Sequence, residues 1–131
     1  MSKSALFASN TSAQTLAIGD IVNFGTPVRR FGHSACIAGG NVILKESGYY
    51  DVNISVTLVP GDVGPVILEL LEDGVPVTGA KYTFTATAGN VYTATIPAIV
   101  RTICCKESVL AVRLSGAGAD VSNAAIVVEK V

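Results

Sequence analysis

The chain has 131 residues, of which 50% are hydrophobic and only 15% are charged, and its formal net charge at pH 7 is −1. This length predicts a single domain spanning residues 1–131. A net charge so close to zero gives no electrostatic attraction to nucleic acid or to an anionic membrane, which excludes both as partners. Because a soluble domain normally has about a quarter charged residues, we expect neighbouring subunits to cover part of this surface.

Targeting and redox signals are weak. No run approaches the roughly 18 apolar residues that a membrane-spanning helix needs, and the N-terminal residues lack the pattern of a signal peptide. The three cysteines, Cys36, Cys104 and Cys105, form an odd set without metal-ligand spacing. The sequence therefore predicts structural cysteines and assembly in a reducing cytoplasm, with a redox pair at Cys104–Cys105 as the alternative.

The first third of the chain has weak strand signals and one recognisable hairpin signal. Residues 1–31 alternate only weakly between apolar and polar side chains, which predicts an irregular N-terminal segment with one or two short edge strands. Residues 36–38 and 42–44 flank Gly39-Gly40, a pattern that indicates a bulged strand or a tight hairpin.

The strongest strand signal lies at residues 48–58, where Tyr50, Val52, Ile54, Val56 and Leu58 alternate with more polar side chains. Residues 65–72 predict a strand that is apolar on both faces, followed by a turn at Asp73-Gly74. Residues 91–100 contain Pro97, which lacks a ladder donor and predicts an edge or a bulge. Strands are also predicted at residues 108–115 and 124–131.

Helical periodicity is absent, and short strands follow one another between turn signals. The predicted fold is therefore all-β: a jelly-roll β-sandwich of about eight to ten strands.

Particular segments resemble known families. Gly48-Tyr49-Tyr50-Asp51-Val52-Asn53-Ile54 is similar to the Gly-x-Tyr strand of the tumour necrosis factor and complement globular-head superfamily. Gly39-Gly40-Asn41-Val42, the Leu-Glu-Asp-Gly-Val-Pro-Val-Thr-Gly-Ala segment at 71–80 and the final 122–130 resemble the C-terminal domain of BclA-type exosporium glycoproteins. The Arg-Arg-Phe-Gly motif at 29–32 and the paired cysteines resemble small structural proteins of phages of Gram-positive bacteria.

The resemblance, which covers roughly residues 33–131, implies a compact jelly roll of the tumour necrosis factor type that forms a tight homotrimer. Such an assembly agrees with the excess of apolar residues and with the two-faced strand at 65–72. Four residues are predicted to face neighbouring subunits: Ile67, Leu71, Tyr49 and Val127.

Catalytic chemistry lacks the residues it needs. His33 is the only histidine, and no Gly-x-Ser-x-Gly motif is present. A dyad of His33 and Cys36 is disfavoured because strand residues three apart face opposite sides. Calcium binding at Glu72-Asp73, helped by Asp62 or Asp120, lacks the dense spacing of known loops. We expect no catalytic residue, no metal site and no cofactor, and hence no enzyme.

The predicted function is that of a homotrimeric structural protein on the surface of a particle. A phage virion is the first expectation, as head decoration or fibre knob, and a spore coat or exosporium is the second. Its partners would be copies of itself and other particle or capsid subunits. The alternative is a module that binds a cell-surface glycan or receptor through loops at residues 60–64 or 116–122, although the absence of Trp weakens a sugar site.

Overall fold

The computed structural model describes residues 3–61, 63–103, 106–116 and 118–131. Within these ranges the chain forms eleven strands and no helix. The strands are β1 (Ala5–Asn10), β2 (Gln14–Leu16), β3 (Thr26–Phe31), β4 (Ala35–Ala38), β5 (Asn41–Leu44), β6 (Gly48–Pro60), β7 (Gly64–Glu72), β8 (Val75–Ala86), β9 (Tyr92–Thr102), β10 (Ser108–Gly116) and β11 (Ala119–Lys130).

The strands form two antiparallel sheets. The A sheet has the order β3-β1-β11-β6-β9, with β2 beside β11, and the B sheet has the order β4-β5-β10-β7-β8. This two-sheet arrangement confirms the predicted all-β jelly-roll sandwich. The strand number exceeds the predicted eight to ten because very short strands leave little periodicity in a sequence: β2 has three residues and β4 has four.

Strand β6 lies in the A sheet between β11 and β9. Its inward side chains are fully or almost fully buried, as the alternation at residues 48–58 predicts: Tyr50, Val52, Ile54, Val56 and Leu58. Strands β7 and β10 supply the facing layer of the core from the B sheet, and Leu68, Leu70 and Leu110 belong to it. The core therefore lies between the two sheets, and the outer face of each sheet remains available for contacts.

The hairpin signals are confirmed. Gly39 and Gly40 join β4 to β5 with φ values of 60° and 81°, and Ala38 pairs with Asn41 across them. Positive φ at both central residues is the geometry that matches the twist of a two-residue hairpin. Asp73-Gly74 likewise joins β7 to β8, and Glu72 pairs with Val75. Pro97 lies on β9, which is an edge strand of the A sheet.

The N-terminal segment differs from its prediction in one respect. Strand β1 is paired on both sides, with β3 and β11, and is internal to the sheet, whereas the short strands β2 and β3 are each paired on one side. After β2, Val22 and Phe24 are fully buried although they lie outside the strands. The Val22 amide donates to the Val112 carbonyl oxygen over 2.8 Å, which ties this segment to β10. Only two inward side chains, Val22 and Phe24, alternate here, and the apolar Ile21 beside them obscures the period-two pattern in the sequence.

A polar cluster closes one end of the sandwich. The Ser4 hydroxyl donates to Ser34 Oγ over 2.9 Å, and the Ser34 hydroxyl donates to the Glu46 carboxylate. Lys130 Nζ lies 3.6 Å from the same carboxylate, and the Tyr50 hydroxyl donates to the Glu46 carbonyl oxygen over 2.6 Å. Because Ser4 and Ser34 are buried, the cluster joins distant chain segments at this end of the sandwich.

Candidate interaction surface

The residues considered for catalysis or metal binding form no common site in the part of the chain that the structure describes. His33 is exposed in the loop between β3 and β4, and Cys36 lies half-buried on β4. Cys104 and Cys105 lie outside the described residues, as does Asp62. In the part of the chain that the structure describes, no group of three or more His, Cys, Asp or Glu side chains could hold a metal ion.

The four predicted interface residues lie on two opposite faces. Tyr49 and Val127 point outward from the A sheet, since their neighbours Tyr50, Ile126 and Val128 are buried in the core. Ile67 and Leu71 lie on the B sheet, where the pairing of β7 with β8 shifts register between Glu69 and Leu71. The structure therefore brings Tyr49 and Val127 to one surface and separates them from the other pair.

Leu71 is already covered within one protomer, where it is only 5% exposed. Ile67 is half-buried and lies opposite Ser115 and Thr83. A substitution such as Leu71→Asp would place a charge in a buried position and unfold the protomer itself. The roles predicted for Ile67 and Leu71 stay predictions, and Leu71 is a poor position at which to test an interface.

The outer face of the A sheet, called here the A face, is built from cross-strand rows. Phe7 pairs with Val127, and Val127 pairs with Asn53 on β6. In the neighbouring row, Glu129 pairs with Asp51. Paired residues of antiparallel strands point to the same side, so each row crosses the sheet as a line of outward side chains.

Five large apolar side chains are exposed on this surface. The exposed fractions are 38% for Phe7, 40% for Val127, 53% for Tyr49, 66% for Ile99 and 67% for Phe31. They come from all five strands of the sheet order, β1, β11, β6, β9 and β3. Five exposed apolar side chains on one sheet face indicate an interaction surface more often than single scattered residues do.

Two shallow grooves run on either side of Val127. One, of about 330 Å³, is lined on the β6–β9 side by Asn53, Thr95 and Pro97. The other, of about 230 Å³, is lined by Phe7, Arg29 and Phe31 among others. Val127 lines both grooves and forms the ridge between them.

The A face also carries charge of both signs. Asp51 and Glu129 are acidic residues on its two adjacent inner strands, β6 and β11. Arg29 lies on the edge strand β3, and Arg101 lies on the opposite edge strand β9. The Arg101 guanidinium lies 5.7 Å from the centroid of the Tyr49 ring, a cation–π distance.

The outer face of the B sheet carries an ion pair and exposed hydroxyl groups beside the exposed Val109. Arg113 forms an ion pair with Glu69 across β10 and β7, with Nη2 and Oε1 3.0 Å apart. Lys81 on β8 continues this row beyond Glu69, and Thr83 lies exposed in the next row. A face with satisfied charges and hydroxyl groups is the one expected to remain in contact with water.

The aromatic residues of β8 and β9 close the side of the sandwich. Phe84 stacks on Tyr92 with centroids 4.6 Å apart and meets Tyr82 at 5.6 Å, and all three pack partly buried against the core. The Thr87 amide donates to the Tyr92 hydroxyl over 2.9 Å, and this hydrogen bond lowers the pKa of Tyr92 below its usual value. These rings are therefore used in packing, which disfavours them as a sugar-stacking platform.

Sequence reasoning missed three of the five large apolar residues of the A face. It identified Tyr49 and Val127, but Phe7, Phe31 and Ile99 join them only through the strand order and register. Each lies in a segment whose own alternation is weak or interrupted by Pro97. The described residues also include no helix long and apolar enough to cross a membrane.

Comparison with known proteins finds similarity in fold alone. No protein-family model matches the chain, and no curated protein matches its sequence. The solved structure of Eiger TNF from S. frugiperda has a TM-score of 0.75 and 13% identity, over 98% of this chain and 91% of that chain. The globular domain of the zebrafish complement 1qA protein has a TM-score of 0.72 and 12% identity, over 99% and 97% of the two chains.

A third similar structure is the PRD1 vertex protein P5, with a TM-score of 0.61 and 14% identity, over 98% of this chain and 96% of that chain. These matches span almost the full length, so this chain has the jelly-roll fold of the tumour necrosis factor type. The predicted resemblance to the tumour necrosis factor and complement globular-head superfamily is thus confirmed for the fold, and the closer resemblance to BclA-type domains stays a prediction.

Proposed function

We propose that this chain is a non-enzymatic structural protein that works as a homotrimer on the surface of a particle. The observation that carries the proposal is the A face, where Phe7, Val127, Tyr49, Ile99 and Phe31 remain exposed in a single protomer. Covering such a face removes apolar surface from water, which is the main favourable term in subunit association. The number of three comes from the resemblance to the tumour necrosis factor superfamily.

A head-to-tail contact is required, because a closed ring of three subunits pairs two different patches of the same chain. The proposed interface includes Tyr49 and Val127, two of the four residues that the sequence analysis predicted to face neighbouring subunits. The outer face of the B sheet, called here the B face, carries the Arg113–Glu69 ion pair and would then stay outside the contact between the A face and its neighbour.

A virion is the particle we favour, with the chain as head decoration or fibre knob. The similarity in fold to the PRD1 vertex protein P5 supports this choice over a spore coat. Antibodies raised against the purified chain, applied to isolated virions and isolated spores of the source organism, distinguish the two. Label on intact virions supports the proposal, and label confined to spores would assign the chain to the exosporium.

The assembly is tested by light scattering coupled to gel filtration, with and without reductant. Wild-type protein is expected to have the mass of three chains under both conditions. Val127→Asp places a charge in the centre of the A face and is expected to give a folded monomer. Thr83→Asp is the matched control, since it adds the same charge at an exposed position on the B sheet and should leave the trimer intact. A monomeric wild type would overturn the proposal.

The alternative function, binding of a glycan or receptor, is tested on the assembled protein. A glycan array probed with the wild-type trimer is expected to be blank, because three of the aromatic rings close the sandwich and three others lie on the proposed interface. Reproducible binding to one class of glycan would favour the module instead.

A further inference from the structure

The A face holds a pair of acidic side chains that one protomer leaves unbalanced. Asp51 and Glu129 lie directly opposite one another across β6 and β11, an arrangement in which like charges destabilise a sheet. Among the described residues, Asp51 accepts one long hydrogen bond, 3.4 Å from Asn53 Nδ2. The ion pairs of the described chain involve other carboxylates, those of Glu69 and Glu46.

Arginine side chains lie at both edges of the same sheet. Arg101 on β9 pairs with Tyr49, one outward row from Asp51 and Ile99. Its guanidinium is positioned over the Tyr49 ring and forms no ion pair with a described carboxylate. Arg29, at the other edge, donates from Nη1 to the carbonyl oxygen of its neighbour Val28 over 3.3 Å.

We propose that the Asp51–Glu129 pair of one copy binds Arg101 from the edge strand β9 of the next copy. The inference rests on the proposed function, because it requires the A face to contact a second copy of the chain. An edge strand is the part of one sheet that can approach the middle of another, and a planar guanidinium can bridge two carboxylates. Stacking on Tyr49 already restricts the arginine, so fewer rotamers are lost when the contact forms.

The apolar neighbours fit the same contact. Ile99, two residues before Arg101 on β9, also points outward and is largely exposed. On the receiving face, Phe7 and Val127 occupy the row next to Glu129. The β9 edge of one copy would present Ile99 and Arg101 side by side. The A face of the next copy presents apolar side chains beside the acidic pair. Such matching of apolar and charged groups fixes the register of an interface.

The test is a dilution series followed by analytical ultracentrifugation, which measures the protein concentration at which half of the trimer has dissociated. The double variant Asp51→Asn with Glu129→Gln removes the repulsion within each protomer, so its fold is secure. If the acidic pair binds an arginine of the neighbour, this variant dissociates at a concentration about tenfold or more higher than wild type. If the pair is only a local repulsion, the concentration stays the same or falls, which would overturn the inference.

A charge exchange identifies the arginine. Arg101→Glu alone is expected to weaken the trimer at least as much as the neutral double variant does. Adding Asp51→Lys and Glu129→Lys to Arg101→Glu should restore a dissociation concentration within a few-fold of wild type, because every contact regains opposite charges. Arg29→Glu is the control at the other edge of the sheet. If Asp51→Lys with Glu129→Lys restored the trimer of Arg29→Glu but not that of Arg101→Glu, the assignment of Arg101 as the partner of the acidic pair would be overturned.

The two proposals fail differently. A wild-type chain that is monomeric at every concentration overturns both the homotrimer and the inter-subunit contact. A stable wild-type trimer whose dissociation is unchanged in the neutral double variant and in Arg101→Glu overturns the contact alone.

Discussion

Tyr50 carries a hydroxyl group into a core that is otherwise apolar. Its ring is fully buried, and the hydroxyl donates to the carbonyl oxygen of Glu46 over 2.6 Å, at the end of the sandwich. The hydrogen bond fixes the loop before β6 at the point where Ser34 and Lys130 also meet Glu46.

We expect Tyr50→Phe to lower the free energy of unfolding by about 1 kcal/mol, the net value of one such hydrogen bond. Urea denaturation at fixed protein concentration measures the change. Tyr82→Phe is the control, since its half-buried ring packs on the core and its hydroxyl forms no hydrogen bond with the described residues. Equal losses in both variants would show that the Tyr50–Glu46 bond contributes nothing.

Gly116 is required by a close backbone approach. Its φ is +85°, and a Cβ atom at this position would lie 2.1 Å from the Pro65 carbonyl oxygen on β7. Gly89 has nearly the same φ, +83°, but a Cβ atom there would meet nothing within 4 Å.

Gly89→Ala should therefore cost only the left-handed conformation, about 1–2 kcal/mol. Gly116→Ala should cost about 1–3 kcal/mol more, because β10 and β7 must move apart to relieve the overlap. Thermal unfolding of the two variants side by side separates the two contributions, and equal melting temperatures would contradict the expected contact.

At the scale of the strand, the alternation of apolar and polar residues correctly predicted strands that have one face in the core and the other face outside it. Strands β6 and β10 satisfy this condition along most of their length. The segment after β2 could not be predicted in the same way. It has only two inward side chains, Val22 and Phe24, and its hydrogen bonds to β10 and to the β4–β5 turn lie outside any regular strand. The apolar second face of β7 was recognised, but the burial of Leu71 within the protomer, next to a register shift between β7 and β8, leaves no signal in the sequence.

Strand β7 allows a direct test of which face is covered by a neighbour. Leu68 is fully buried in the core, so Leu68→Ala should lower the free energy of unfolding by about 2–5 kcal/mol. Ile67 lies next to it on the outer face of the B sheet, and Ile67→Ala should cost about 1 kcal/mol or less and leave the mass in solution unchanged. Dissociation of the Ile67→Ala protein would place the B face in the interface, as the sequence prediction for Ile67 had it.

At the scale of the whole molecule, the A face illustrates what a sequence can and cannot predict. The composition, 50% hydrophobic and 15% charged, indicated that some surface is covered. Which surface it is depends on the order β3-β1-β11-β6-β9, which brings Phe31 and Ile99 from distant segments to one side. Local periodicity assigns a side chain to one face of its strand, but it does not determine which strands become neighbours.

If folding and assembly are coupled through this face, thermal stability must depend on protein concentration. Mass action stabilises the trimer as the chain becomes more concentrated, so the melting temperature should rise by about 5 °C between about 1 μM and about 100 μM. Val127→Asp should melt at a lower temperature that is the same at both concentrations, because a monomer gains nothing from its neighbours. Thr83→Asp should keep the wild-type dependence. Calorimetry over this range measures all three proteins, and a wild-type melting temperature independent of concentration would mean that the A face is stable when exposed to water.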